Sequence, residues 1–168
     1  MTHPSLTLVL GGARSGKSRF AESLIAGHPA PWTYVATAQA FDEEMRLRIE
    51  AHRDRRDARW TTVETPLRLA DAIEATAGPL LVDCLTLWLS TLMLGGEDVA
   101  AATGRLEAAL QRAQSPVVLV SNEVGLGIVP DNPLARAFRD EQGRLNQCMA
   151  QRAGRVVLMV AGLPLEVK

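Results

Sequence analysis

The chain has 168 residues, is 47% apolar and 22% charged, and carries a formal net charge of −1 at neutral pH. At the usual ~100–150 residues per domain this is one compact domain spanning 1–168, large enough to fold without disulfides or a structural metal. The near-zero charge excludes a general nucleic-acid binder, which shows a strong basic excess. Of the 18 basic residues, 16 are Arg, and the only lysines are Lys17 and Lys168. That skew is what base composition produces, since Ala is abundant as well. Cys84 and Cys148 lie in no CxxC or Cys/His cluster, so zinc-ribbon and redox motifs are excluded and a reducing cytoplasm is the expected home. The segment Met1–Ser5 lacks the basic and apolar regions of a secretory signal. The most apolar stretch, Pro79–Leu94, is interrupted by Asp83 and falls short of the ~20 apolar residues of a membrane span.

Short β-rich runs alternate with longer helical patterns, the signature of a mostly parallel central sheet flanked by helices. Strands are expected at Leu6–Leu10, Thr33–Ala36, Leu80–Asp83, Val117–Ser121 and Val156–Val160, with a shorter one at Thr61–Glu64. They read as nearly continuous apolar runs, as strands buried on both faces do. Arg19–Ala26 follows the first strand as a helix. The charged segment Asp42–Trp60 is expected to be helical, with Met45, Ile49 and His52 on one face. Thr65-Pro66 reads as an N-cap followed by proline at the first helical position, and Asn132-Pro133 repeats the device before Leu134–Ala153. Two further helices are expected, from about Leu85 to Gly95 and over about Val99–Gln114.

Gly11-Gly12-Ala13-Arg14-Ser15-Gly16-Lys17-Ser18 fits GxxxxGK[ST] between an apolar strand and a helix, the context this phosphate-binding motif requires. Its glycines let successive N–H groups face phosphates at a helix N-terminus. Lys17 would reach the β/γ oxygens and the Ser18 hydroxyl would ligate Mg²⁺. Arg14 touches phosphate or faces solvent. Leu80-Leu81-Val82-Asp83 is an apolar strand ending in a carboxylate, placed to hold the same cation. The guanine-reading NKxD motif is missing: Asn122-Glu123-Val124-Gly125 has Glu where Lys is needed, which disfavours a switch-type GTPase.

His52 shares a helix face with Met45 and Ile49 and precedes Arg53, Arg55, Arg56 and Arg59. Periodicity alone fits an interior hydrogen-bonded histidine; chemistry fits a nucleophile toward phosphorus, forming a labile phosphoramidate with arginines to stabilise the phosphate and lower the imidazole pKa. Both readings stand on the residues themselves.

Across nearly its whole length the chain resembles the bifunctional adenosylcobinamide kinase / adenosylcobinamide-phosphate guanylyltransferase family of cobalamin biosynthesis. The resemblance rests on Gly11–Ser18, on Val35-Ala36-Thr37-Ala38 with the charged helix after it, and on Ser121–Pro130. It continues through Asn132–Arg136, Phe138–Asp140 and Gly143–Gln147. It implies a RecA-like P-loop NTPase fold and two reactions. Adenosylcobinamide is phosphorylated with ATP or GTP; GMP then passes from GTP to adenosylcobinamide phosphate through a guanylyl-histidine, giving adenosylcobinamide-GDP and pyrophosphate. The implied nucleophile is His52. The implied nucleotide contacts are Gly11–Ser18, Ala36, Thr37, Ala38, Arg53, Asp54, Arg55, Arg56, Glu64 and Asp83, with Mg²⁺ on Ser18 and Asp83. A homotrimer is also implied.

The family pattern has Glu where Asp83 stands, Ser where Ala38 stands and a second His where Ala51 stands. Asp83 keeps the carboxylate, Ala38 loses a hydroxyl, and His52 is left as the histidine on that helix. Glu123 is a candidate general base or a loop residue. Gly125 and Gly127 suit a substrate loop or a tight turn, and Arg136, Arg139 and Asn146 suit surface or inter-subunit pairing better than catalysis. The competing functions are a P-loop kinase of small molecules with a single activity and a non-catalytic GTP-binding module.

Overall fold

Near-continuous runs of Leu and Val are what a sheet covered on both faces demands, and the strands follow them closely. The computed structural model describes residues 3–39, 43 and 56–168. Its elements in chain order are β1 (His3–Gly11), α1 (Lys17–Ala26), β2 (Trp32–Ala36), β3 (Trp60–Glu64), α2 (Leu69–Glu74), β4 (Leu80–Asp83), α3 (Leu85–Leu94), α4 (Val99–Arg112), β5 (Val117–Val120), α5 (Pro133–Arg152), β6 (Ala153–Val160) and β7 (Leu163–Glu166). The strands form a seven-stranded sheet in the order β3-β2-β4-β5-β1-β6-β7. All neighbours are parallel except the antiparallel pair β6–β7. The expected fold class, a mostly parallel α/β sheet flanked by helices, is what the chain adopts.

Side chains alternate across a strand, and two cores result. Leu6, Leu8, Leu80, Val82, Val117 and Leu119 face α2, α3, α4 and α5. Val9, Leu81, Val118, Val120 and Val157 face Ala21 and Ile25 of α1. On the first face Trp88 of α3 is 1% exposed, and its indole N–H donates to the Leu67 carbonyl at 3.0 Å.

Asn132 caps α5 as its sequence suggests, its side chain accepting from Ala135 N–H at 2.7 Å. Asp98 does the same for α4, from Ala101 N–H at 2.9 Å. At the other end of α5, Lys168 Nζ donates to the carbonyls of Ala150 at 3.0 Å and Ala153 at 2.7 Å. The second lysine of the chain therefore neutralises carbonyls at the negative end of its longest described helix. Among the described residues no helix is long and apolar enough to cross a membrane.

Two expectations change, and one strand was not expected. Thr65-Pro66 does not start a helix: Thr65 N–H donates to Ala36 C=O at 2.9 Å, prolonging the β2–β3 ladder, and α2 begins at Leu69 with Arg68 as its N-cap. The helix expected over Asp42–Trp60 does not reach Trp60, which opens β3 and stacks on Trp32 at 5.2 Å. Just before it, Asp57 accepts from Arg59 N–H at 2.9 Å in a turn, the local bond by which Asp competes with helix. Residues 42 and 44–55 of that expected helix lie outside the described residues. Strand β7 carried no strand signal, since its four residues include Pro164 and are all exposed.

Replacing Trp88 by Ala should destabilise the fold by about 3–5 kcal/mol, the usual cost of truncating a buried aromatic. The measure is the urea midpoint followed by circular dichroism, with the slope unchanged.

Candidate active site

The phosphate loop is built by a backbone that only glycine accommodates at its entry. Gly11 has φ +152°, and a Cβ there would lie 2.6 Å from Ser15 Oγ and 2.7 Å from the Met159 carbonyl. Gly16, at φ +94°, is the N-cap of α1 and supplies no side-chain cap, so the first N–H groups of the helix are left for an anion. The loop is tied on both sides. Glu123 N–H donates to Gly11 C=O at 3.1 Å, and Gly162 N–H donates to Ser15 C=O at 3.1 Å.

This loop forms one wall of a cleft of about 1090 Å³ at the carboxyl ends of the central strands. Ala13, Arg14, Ser15, Gly16, Lys17 and Ser18 all line it, as do Ala36, Ala38, Glu64 and Asp83 from the strand ends. Arg14 adopts φ +55° at the turn of the loop. Lys17 is 8% exposed, and its ammonium donates to the Gly12 carbonyl at 2.5 Å. Burial pulls its pKa below the usual lysine range, against the pull of the Asp83 carboxylate. Cys84 also lines the cleft; burial pushes its thiol up to about 12, so it enters as a neutral side chain.

Asp83 accepts a 2.9 Å hydrogen bond from the Tyr34 hydroxyl through Oδ2. Burial, followed by the neighbouring carboxylate, pushes the Tyr34 phenol well above its ordinary pKa, so it remains a donor. The Arg56 guanidinium lies over the Tyr34 ring, 3.6 Å from its centroid. Its Nε and Nη1 are buried without a hydrogen-bond partner among the described residues, which leaves strong donors in a cleft that Glu64 also lines.

Not every expected contact faces the cleft. Thr37 is fully buried; its hydroxyl donates to Cys84 C=O at 2.6 Å and accepts from Cys84 N–H at 2.8 Å. Its side chain is consumed in fixing the turn after Asp83. Gly11 and Gly12 shape the loop from behind and are not among the lining residues. His52, Arg53, Asp54 and Arg55, with Met45, Ile49 and Ala51, lie outside the described residues. Glu123, the candidate base, does not line the cleft; its carboxylate accepts from Gly125 N–H at 2.6 Å in an exposed loop. Arg136 donates to the carbonyls of Pro130 at 2.9 Å and Asp131 at 2.7 Å, securing that loop to α5. Asn146 is no surface residue: it is buried in a hydrogen-bonded cluster with Ser121 and Gln142.

Tyr34, Thr62 and Asn122 line the cleft without having been singled out as site residues. Tyr34 was within reach of sequence reasoning, because it alternates with Ala36 along one strand face. Beyond Asn122 the loop carries Leu126 and Ile128, which are 88% and 97% exposed.

A family model described as cobinamide kinase / cobinamide phosphate guanyltransferase matches residues 7–167. The bifunctional adenosylcobalamin biosynthesis protein CobP of Pseudomonas aeruginosa is 52% identical over 167 residues, covering 96% of each chain. The bifunctional adenosylcobalamin biosynthesis proteins CobU of Salmonella typhimurium and Escherichia coli are 45% and 43% identical over 181 residues, covering 97% of this chain and 99% of theirs. Among solved structures, an ATPase from the type III secretion system of pathogenic bacteria aligns with a TM-score of 0.55 at 12% identity. The alignment covers 96% of this chain and 56% of that one, so the chain spans little more than half of the ATPase, and the likeness concerns the fold alone. With a match running from residue 7 to residue 167 and three such relatives, the chain belongs to the cobinamide kinase / cobinamide phosphate guanyltransferase family.

Proposed function

We propose that the chain is a two-step enzyme of cobalamin biosynthesis: it phosphorylates adenosylcobinamide with ATP or GTP, then transfers GMP from GTP to the resulting phosphate. The observation that carries the reading is the convergence of Lys17, Ser18 and Asp83 on one cleft in a member of this family. Phosphoryl transfer asks a protein for positioning and charge neutralisation. The N–H groups opening α1 and the Lys17 ammonium supply both for a triphosphate.

Ser18 and Asp83 are the residues that would hold Mg²⁺. Both offer hard oxygen donors, and the second Asp83 oxygen, Oδ1, has no protein partner among the described residues. Among those residues no cluster of three or more His, Cys, Asp or Glu could cage a metal. Two protein oxygens suit Mg²⁺, which takes its remaining ligands from phosphates and water. When bound, the cation offsets charge on the phosphate oxygens.

For the second reaction, His52 attacks the α-phosphorus of GTP in line and pyrophosphate leaves; the cobinamide phosphate then displaces GMP from His52. The Arg56 donors that lack a partner among the described residues support a nucleotide in this cleft, with Glu64, Arg53, Asp54 and Arg55 as the further contacts of this reading. A cytoplasmic location and a homotrimeric assembly belong to the same reading.

Replacing Lys17 by Ala should lower γ-phosphate transfer to adenosylcobinamide at least ~10²-fold, the scale of losing one preorganised charge donor, read by product formation from γ-labelled GTP. With GTP labelled at the α-phosphate, the denatured protein should carry acid-labile label, and His52→Ala should abolish it while γ-transfer persists. A wild-type protein that never becomes labelled would refute the transferase step.

A pH dependence follows from Lys17. Burial in the cleft lowers the Lys17 pKa from its usual range, and bound phosphate raises it again. Nucleotide binding at alkaline pH should therefore take up a proton, with affinity falling as pH rises through the lowered pKa of the empty cleft. Calorimetry in two buffers of different ionisation enthalpy measures the uptake; a Lys17→Met protein should show none attributable to this site.

A further inference from the structure

Strand β5 lies between β4, which ends in Asp83, and β1, which leads into the phosphate loop. Asp83 is in register with Val120, and Val120 with Val9. Residues two apart on a strand share a face, so Asn122 projects on the side of Val120 and Asp83. At ~3.3 Å per residue it stands roughly 7 Å further toward the open end. Val120, Asp83 and Asn122 all line the cleft.

The backbone at this position is held on both edges. On the β1 side, Ser121 N–H donates to Val9 C=O at 3.0 Å and Glu123 N–H to Gly11 C=O at 3.1 Å, carrying the ladder past the end of β5. On the other side, Asn122 N–H donates to Thr86 Oγ1 at 2.8 Å, and Asn122 C=O accepts from Asn146 Nδ2 at 3.0 Å. Asn146 is itself fixed, its Oδ1 accepting from Ser121 Oγ at 2.7 Å and Gln142 Nε2 at 3.0 Å. Ser121, Gln142, Asn146 and Thr86 are all buried. Two side chains from different helices thus serve the main chain of one residue, while the carboxamide of that residue has no hydrogen-bond partner among the described residues. A polar group carried on a fixed main chain at the wall of a cleft is placed to meet charge that develops there.

We propose that Asn122 is a catalytic residue of the phosphoryl-transfer step, with Thr86 and Asn146 as its positioning residues; the assignment rests on the kinase reading above. Its Nδ2 donates to an oxygen of the terminal phosphoryl group, and its Oδ1 accepts from the hydroxyl of the acceptor alcohol. The hydroxyl oxygen bonds to the γ-phosphorus as the bond from that phosphorus to the β–γ bridging oxygen breaks. The electron pair of the broken bond leaves with the nucleoside diphosphate, and the hydroxyl proton is released to water. The carboxamide orients both partners and takes no proton itself. Glu123, one residue on, faces its own loop and does not take part.

The test compares wild type, Asn122→Ala, Thr86→Val and Thr86→Ser in γ-phosphate transfer to adenosylcobinamide, alongside binding of a fluorescent GTP analogue and thermal melting. Asn122→Ala should lower kcat about 10²-fold, in the range for loss of one such donor, while nucleotide affinity and melting stay close to wild type. Thr86→Val should lower kcat roughly tenfold, and Thr86→Ser, which keeps the acceptor for Asn122 N–H, should restore it. An active wild type with kcat unchanged in Asn122→Ala overturns the assignment alone. So does a loss of turnover that Thr86→Val and Asn122→Ala share in equal proportion with nucleotide binding and melting temperature. A wild type that transfers no γ-phosphate overturns the kinase reading and the assignment with it.

Discussion

The site depends on the register of three parallel strands. Pairing Val120 of β5 with Asp83 on one side and with Val9 on the other brings the phosphate loop and the acidic strand end to the same level of the sheet. A slip of one residue in β5 would turn Val118 and Val120 toward the opposite core. It would also disrupt the bonds that bind Ser121 and Glu123 to the β1 edge. The two-sided core enforces this register, because Leu119 and Val117 must enter one packed layer and Val118 and Val120 the other.

Around that register the cleft collects groups whose hydrogen bonds the protein leaves incomplete. The Gly16 N-cap offers no side chain to its helix, and Arg56 keeps two buried donors without partners among the described residues. By contrast, Thr37 spends its hydroxyl twice on Cys84, and Asp57 is bound by Arg59, which holds its carboxyl down at about 2. Buried polar groups normally find partners. Donors left open at the wall of the cleft mark where a highly charged ligand contributes most.

The phosphate loop and the acidic strand end were legible in the sequence because their signals are local: glycines and a lysine at fixed spacing, and an apolar run closed by Asp83. The strands were legible because burial on both faces leaves unbroken apolar runs. The roles of Thr37 and Asn146 were not, since each is decided by a partner 47 or 24 residues away. Asn122 was visible inside the segment Ser121–Pro130 and as the first residue of an incomplete guanine-reading motif, with no role of its own, and Glu123 drew attention by its charge. Orientation across the strand, which alternates residue by residue, decided between them. Thr65-Pro66 misled for a related reason: the N–H of Thr65 went to the neighbouring strand and not to a helix cap.

The scarcity of lysine acquires a meaning from where the two side chains sit. One ammonium is enclosed by the phosphate loop, and the other is bonded to carbonyls at the end of α5. Primary-amine chemistry on the side chains of this protein is therefore confined to two addresses, and under the proposed function one of them is where the nucleotide phosphates bind. Acylation at that address would remove the cation and fill the space the phosphates need, so ligand occupancy and covalent protection of a single amine become the same event.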